Sequence, residues 1–309
     1  MQINANTNIH IKTHTDLDAV ASVVLLHRQF PNKIVSVEYN SYNDIEDSIK
    51  SFITNHEYTP GDTLIVTDIS FSNELATELN NIKDLNVHLF DHHKTARRLT
   101  TFNWAIVDTT AGKSATEVVY EHVINKQITT DRHNFVKAVS AWDTWLLQSE
   151  YRKQGEDLNT LLGFIGKDEF VKLFTANIST GLDEPYSKII EYLTHKKDRY
   201  VEQVIRKQGR YARVHLDGLC NQYIIIFATD YISEIGNKIL DTREEEIAYV
   251  CVINPVFNSV SLRSKNDMDV SHIAKYLAGG GHKNAAGFRV DFTTSIEDTI
   301  DQILNHINY

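Results

Sequence analysis

Four stretches in the first half of the chain share one grammar, in which an apolar run stops at an aspartate. IHIKTHTDLD carries His14, Asp16 and Asp18; TLIVTD ends on Asp68; VHLFDHH ends on Asp91, His92 and His93; and AWDTW sets Asp143 between two tryptophans. Taken singly, each has an ordinary explanation. Asp18 can cap a helix beginning at Ala19, an aspartate after a strand starts a turn, a histidine pair beside a strand can be structural, and Asp143 can accept an indole hydrogen bond. Taken as a set they are harder to dismiss, because carboxylates gathered in partly apolar surroundings repel and are costly to ionise there. Divalent cations resolve that conflict, and mixed imidazole and carboxylate ligands suit manganese, iron or zinc. Such ligation with open positions is what a two-metal hydrolytic site needs, with ions roughly 3.5–4 Å apart.

The elements around these residues explain how they could meet. Strand-like runs at 9–14, 33–39, 63–68 and 87–91 alternate with helical stretches at 19–30, 45–54 and 74–80. That alternation implies a parallel sheet with helices on its faces, an α/β fold. Ligands of open parallel sheets sit beyond the carboxyl ends of the strands, where three of the aspartate groups fall. Ser114-x-x-Glu117 reads as a capping box opening a helix through His122, and helical segments continue to about 177. Gly112-Lys113-Ser114 imitates the end of a phosphate-binding loop, but Val107 stands where that motif needs glycine, so Ser114 is assigned to the cap. A charged amphipathic helix over 185–210 then reads as a linker. It divides a domain at 1–184 from one at 211–309. In the latter, β-branched and aromatic runs include a hairpin turning at Asn254-Pro255, and a helix at 270–278 capped by Asp269 leads into Gly279-Gly280-Gly281-His282. Glycines there can bring backbone N–H groups up to an anion, or can simply end the helix.

Bulk properties narrow the class. The net charge of −10 shifts the odds away from long nucleic acid, whose binding draws on basic patches, and toward a small ligand. Two cysteines, Cys220 and Cys251, support neither a disulfide framework nor a thiolate zinc site and fit a reducing cytoplasmic setting. The first residues lack the basic and apolar regions of a signal peptide, and no run is long enough to span a membrane.

The ordered series HTDLDA (14–19), Asp68, DHH (91–93) and WDTW around Asp143 resembles the DHH phosphoesterases. SLRS (261–264), DVSHIA (269–274) and GGGHKNAAG (279–287) resemble the DHHA1 domain that accompanies them. DHHKTA, KSATEVVY and SEIGN look most like the nanoRNase B-like oligoribonuclease branch. The resemblance implies a parallel-sheet DHH domain joined by a long helix to a smaller α/β DHHA1 domain. It also implies two divalent ions, Mn²⁺ with Mg²⁺ or Co²⁺ as alternatives. His14 and Asp16 would bind one ion, Asp18, His92 and Asp143 the other, and Asp68 both. His93 would face the substrate phosphate and Asp91 would orient its neighbouring histidine. Arg263, Ser264, Gly280, Gly281 and His282 would hold substrate. Many members carry the metal-binding histidine four residues before the first aspartate, where this chain has Lys12; His14, two before it, takes that place, and His10 is otherwise a strand residue. Ala19 replaces a glycine common among relatives.

The expected reaction is in-line attack on phosphorus by a hydroxide shared between the ions, with His93, Arg263 and His282 neutralising phosphoryl charge. The expected substrate is a short RNA oligonucleotide cut to 5′-mononucleotides, by a monomer or homodimer, with no long duplex DNA and no membrane as partner. Alternatives within the chemistry are 3′-phosphoadenosine 5′-phosphate phosphatase and cyclic dinucleotide phosphodiesterase. A non-catalytic nucleotide-binding module is the rival of another class. Lys94, Arg97 and Arg98 read equally as an anion guide or as a solvated turn, and Trp145, Tyr231 and Phe288 offer rings that could stack on a base but read rather as core.

Overall fold

The computed structural model describes residues 7–124, 129–179, 181–209, 212–217, 221–243, 246–265 and 267–290. The chain folds as two units, 1–191 and 192–309.

The first unit opens with strand β1 (Ile9–Thr13), helix α1 (Leu17–Gln29), β2 (Ile34–Tyr39), α2 (Ile45–Thr54), β3 (Thr63–Thr67), α3 (Asn73–Asn81), β4 (Asn86–Asp91) and β5 (Ala105–Val107). The strands form one wholly parallel sheet in the order β2-β1-β3-β4-β5. Central strands β1 and β3 are buried along their whole length, as strands covered on both faces must be, and β1 buries the polar His10 and Lys12 with its isoleucines. Alternation along the strands assigns the two faces. Ile9, Ile11, Ile65 and Phe90 join a core with α1 and four later helices, while Leu64, Val66, Val87 and Leu89 join another with α2 and α3. Those later helices are α4 (Ala115–Val123), α5 (Thr130–Asp143), α6 (Arg152–Ile165) and α7 (Lys167–Ala176). Gly155 lets α6 approach α5 closely, since a Cβ there would lie 2.2 Å from the Ala138 carbonyl oxygen. Ser114 caps α4 as its spacing predicts, accepting from the Glu117 N–H at 3.3 Å. The Glu117 side chain, however, turns to Lys137 and Ser140 at 2.5 and 2.9 Å rather than closing the box.

The strand order reverses between β1 and β3. A crevice at the carboxyl ends of those neighbours is the place where such sheets receive ligands.

Helix α8 (Tyr186–Val204) contributes Ile190 to the first unit's core and Val201 and Val204 to the second's. The second unit comprises β6 (His215–Leu216), β7 (Gln222–Phe227), α9 (Ile232–Thr242), β8 (Tyr249–Asn254), β9 (Ser259–Ser264), α10 (Val270–Tyr276), β10 (Gly280–His282) and β11 (Ala285–Arg289). Its mixed sheet runs β10-β11-β9-β8-β7-β6, with β7 and β8 parallel and the other neighbours antiparallel. Helix α9 covers one face and α10 the other. The hairpin at Asn254-Pro255 forms as read, and Asp269 caps α10 by accepting from the Ser271 N–H at 2.9 Å. The glycine run ends α10, as one of its readings has it, with the Gly279 N–H donating to the Ala274 carbonyl at 2.7 Å. Gly280–His282 then continues as a strand paired with β11, because Gly279 and Gly281 let two backbones touch. A Cβ on Gly279 would lie 2.1 Å from the Gly287 oxygen, and one on Gly281 would lie 2.5 Å from the Ala286 Cα.

Candidate metal centre

The groups predicted to converge in the first unit do converge. Asp68 follows β3 and is buried, with its backbone in the left-handed region at φ 59°. That conformation is uncommon for an aspartate and is held here by its N–H donating to the Phe90 carbonyl at 3.0 Å. Neither carboxylate oxygen of Asp68 has a hydrogen-bond partner among the described residues. One of them, Oδ2, lies 3.9 Å from His14 Nδ1; the other, Oδ1, lies 3.4 Å from His92 Nε2 and 3.8 Å from His93 Nδ1.

Around His92 Nε2, carboxylate oxygens of Asp143, Asp68 and Asp18 stand at 3.3, 3.4 and 3.7 Å. None of these is a hydrogen bond, and among the described residues the buried nitrogen has no other partner. His14 Nδ1 meets Asp16 Oδ2 at 2.9 Å. Three sets of candidate ligand atoms each fall within 4.8 Å of one another: His14, Asp16 and Asp68; Asp18, His92 and Asp143; and Asp68, Asp91, His92 and His93. Four orphaned buried atoms remain among these groups: both oxygens of Asp68, Asp91 Oδ2 and His92 Nε2. Leaving such atoms unpaired is costly. The donor set, oxygen and imidazole without sulfur, fits divalent cations.

Each residue is positioned by a nameable device. The cap of α1 is Asp16, not Asp18, with the Ala19 N–H donating to Asp16 Oδ1 at 3.2 Å. Asp18 lies inside the helix and is buried. Its two oxygens accept from Ala115 N and Thr116 N at 2.7 and 2.8 Å, at the positive end of α4. Asp143 is the last residue of α5, at the negative end of a helix, where a carboxylate is least welcome. Asp91 Oδ1 gathers the backbone N–H groups of His92 and His93 at 2.7 and 3.0 Å and the His93 ring Nδ1 at 2.8 Å. It thereby fixes the His93 imidazole and the backbone that carries both histidines.

The electrostatics follow. Burial first, then repulsion from Asp16, Asp18, Asp143 and Asp91, drives the Asp68 carboxyl well above the ordinary range. Burial and then Asp18, Asp16 and Asp91 do the same to Asp143. Burial also works to raise Asp16, yet the hydrogen bond and charge of His14, the neighbouring Asp68 carboxyl and the Ala19 N–H bring it down to about 2. For His92, burial outweighs the surrounding carboxylates and lowers its pKa, favouring the neutral imidazole a cation needs. Burial opposes protonation of His93 as well, but the hydrogen bond and charge of Asp91 prevail and raise it.

A residue without any signature in the sequence also belongs here. Tyr42, in the turn after β2, sets its ring 4.9 Å from the His14 ring and its hydroxyl 3.4 Å from His93 Nε2. Tyr42 is 56% exposed, yet partial desolvation and then Asp68, Asp91, Asp16 and Asp143 push its pKa up, so it remains a neutral phenol. Only its position after a strand end could have suggested it.

In the second unit, the Arg263 guanidinium donates to Ser233 Oγ at 2.6 Å and to the Leu262 carbonyl at 2.8 Å. Ser264 is buried and its hydroxyl donates to the Met268 carbonyl at 2.8 Å while accepting from Asn284 Nδ2 at 3.1 Å. That hydroxyl pins the β9 end to the α10 entrance. Gly280 and His282 are exposed.

Comparison with known proteins agrees with this geometry. Residues 8–141 match the DHH family, N-terminal domain, and residues 218–309 match the DHHA1 domain. Oligoribonuclease NrnB of Bacillus subtilis is 30% identical over 294 residues, covering 90% of this chain and 72% of that one. The chain belongs to the DHH family. DHH proteins are metal dependent, and this one is a phosphodiesterase. A 3′,5′-cyclic-nucleotide phosphodiesterase of Helicobacter pylori is 25% identical over 268 residues, or 72% of this chain and 75% of that one. The structure of a pGpG-specific phosphodiesterase from Vibrio cholerae superposes with a TM-score of 0.58 at 16% identity, over 97% of this chain and 99% of that one, a likeness of fold. Among the described residues no helix is long and apolar enough to cross a membrane.

Proposed function

We propose that this DHH phosphodiesterase hydrolyses short RNA oligonucleotides to 5′-mononucleotides at a pair of divalent cations, with Mn²⁺ the favoured ion. The observation that carries the reading is Asp68: a buried carboxylate whose two unpartnered oxygens face His14 on one side and His92 on the other. His14 and Asp16 would hold one cation and Asp18, His92 and Asp143 the other, with Asp68 available to both. Such ions, when bound, acidify water at neutral pH and draw charge from phosphoryl oxygens.

The chain's own groups do the rest. His93, whose protonated form Asp91 favours, donates to a phosphoryl oxygen, and Asp91 fixes the ring that does so. Tyr42 adds a neutral O–H beside it. Arg263, Gly280, Gly281 and His282 are the proposed substrate contacts of the DHHA1 unit. Support for the RNA substrate comes from the Bacillus subtilis relative named an oligoribonuclease and from the acidic balance of the chain.

The test is a product assay with Mn²⁺ on dinucleotides, 5-mers, 3′-phosphoadenosine 5′-phosphate and cyclic dinucleotides. Release of 5′-mononucleotides, fastest from the shortest RNA, is expected. Preference for either of the other substrates overturns the substrate assignment, and metal-dependent binding with no turnover overturns the catalytic one.

A further inference from the structure

Helix α5 ends in an unusual way. The Leu146 N–H bonds back to the Ala141 carbonyl at 3.0 Å and the Trp145 N–H to the Trp142 carbonyl at 3.3 Å. This is the pattern by which helices stop on a left-handed residue, a position glycine fills by default because it has no Cβ to clash. Here the position holds Trp145, at φ 58°. A bulky residue in that region is a genuine outlier, and burial does not compensate for it. Trp145 is 38% exposed, and the Leu146 and Leu147 that follow are 41% and 60% exposed. The sequence reading of Trp145 as core is therefore corrected.

The indole is nonetheless fixed. The Arg152 guanidinium carbon sits 4.3 Å from the Trp145 ring and 4.2 Å from the Trp142 ring. The same guanidinium donates to the Ala141 and Trp142 carbonyls at 3.0 and 2.8 Å, anchoring it to the helix end. An aromatic side chain is thus kept exposed and held rigid, at the conformational expense of its own backbone. Strain of this kind, observed at one residue, points to use.

Its place says what use. Asp143, two residues earlier, stands 3.3 Å from His92 Nε2 in the metal centre, and two residues of chain span at most about 7 Å. A phosphate at that centre carries its nucleoside within reach of the indole. We propose that Trp145, braced by Arg152, is the shelf on which a nucleobase of the substrate stacks, making it a specificity-determining residue for nucleotides over other phosphate esters. This deepens the phosphodiesterase reading above and rests on it. Base–aromatic stacking tolerates every base, so the shelf selects for the presence of a base and not for its identity.

The experiment measures binding of AMP and of ribose 5-phosphate to the full chain with Mn²⁺ by calorimetry, in wild type, Trp145→Ala and Trp145→Phe. Wild type is expected to prefer AMP by about five- to 150-fold, the worth of one stacked base. Trp145→Ala should bring the two ligands to within about two-fold by weakening AMP alone, and Trp145→Phe should keep most of the preference. A preference that survives in Trp145→Ala overturns the proposal. So does equal loss of both ligands, which would mean a merely structural role, or loss of self-association with nucleotide binding unchanged, which would make the surface a contact for a second copy. Dinucleotide turnover, read separately, reports on the function: an AMP preference that depends on Trp145 in a protein inert toward RNA would retain the shelf and discard the oligonucleotide.

Discussion

The metal centre of the first unit and the glycine hairpin of the second are both places where the sequence resembles a functional motif, and they are built in opposite ways. At the metal centre, buried acceptors of Asp68, Asp91 and His92 lack partners, and carboxylates crowd until burial and repulsion lift two of them. In the hairpin, Ser264 and Arg263 bond within the unit, and Gly279 and Gly281 are there because two strands touch. The first region leaves buried acceptors that cations could satisfy, whereas Ser264 and Arg263 of the second have partners within their own unit. A motif can therefore mark chemistry that the fold leaves undone, or packing that the fold requires, and only the partners of its atoms distinguish the two.

The comparison breaks most visibly at Asp68. Asp68→Asn should cost more than about 100-fold in turnover, beyond what loss of a mere supporting partner costs, while the thermal melt stays cooperative. A variant within a few-fold of wild type would remove Asp68 from the chemistry. Next comes the hairpin. Gly279→Ala forces a Cβ onto the Gly287 oxygen and should destabilise the second unit by about 1–3 kcal/mol. Gly280→Ala meets nothing within 4 Å and should leave the melt unchanged. If Gly280→Ala instead raises KM with stability intact, the glycine serves substrate as well as packing; equal melts for the two variants would refute the packing account.

A smaller effect is expected from pH. Without cations, the raised carboxyls of Asp68 and Asp143 hold protons more tightly folded than unfolded. That stabilisation is complete at low pH and is lost as pH climbs through their raised values. Cations need the ionised forms and displace those protons. The melting-temperature gap between Mn²⁺-loaded and chelated protein should therefore widen as pH rises from the ordinary carboxyl range. A constant gap would show that the two groups do not release protons to the metal. The smallest effect belongs to Tyr42. Tyr42→Phe keeps the ring against His14 and removes only the long contact to His93, so a loss in kcat of under about ten-fold is expected. No loss for Phe together with a large one for Ala would assign the residue to packing.

Much of this was legible beforehand, and the failures have physical reasons. Strand ends were readable because apolar runs stopped at aspartates, and α4 announced its start through Ser114. Two aspartates spaced by two residues ahead of a helix both satisfy a capping rule, however. What separates Asp16 from Asp18 is a pair of N–H groups 97 and 98 residues away. The glycine run fits a helix stop and an anion cradle equally well, because β11 is brought against it only by folding. Tyr42 belongs to no periodicity, and no glycine at Trp145 announced a left-handed helix stop.

Asp18 holds the first turn of α4 with its two oxygens, and one of them, Oδ2, also stands 3.7 Å from His92 Nε2. An ion that draws on that carboxylate thus acts on a helix packed into the core, and loading and folding become one equilibrium. Each ion that prefers the folded chain adds to its stability by mass action. Starved of its cations, such a protein would lose that increment of stability, and proteases would find the empty enzyme sooner than the working one.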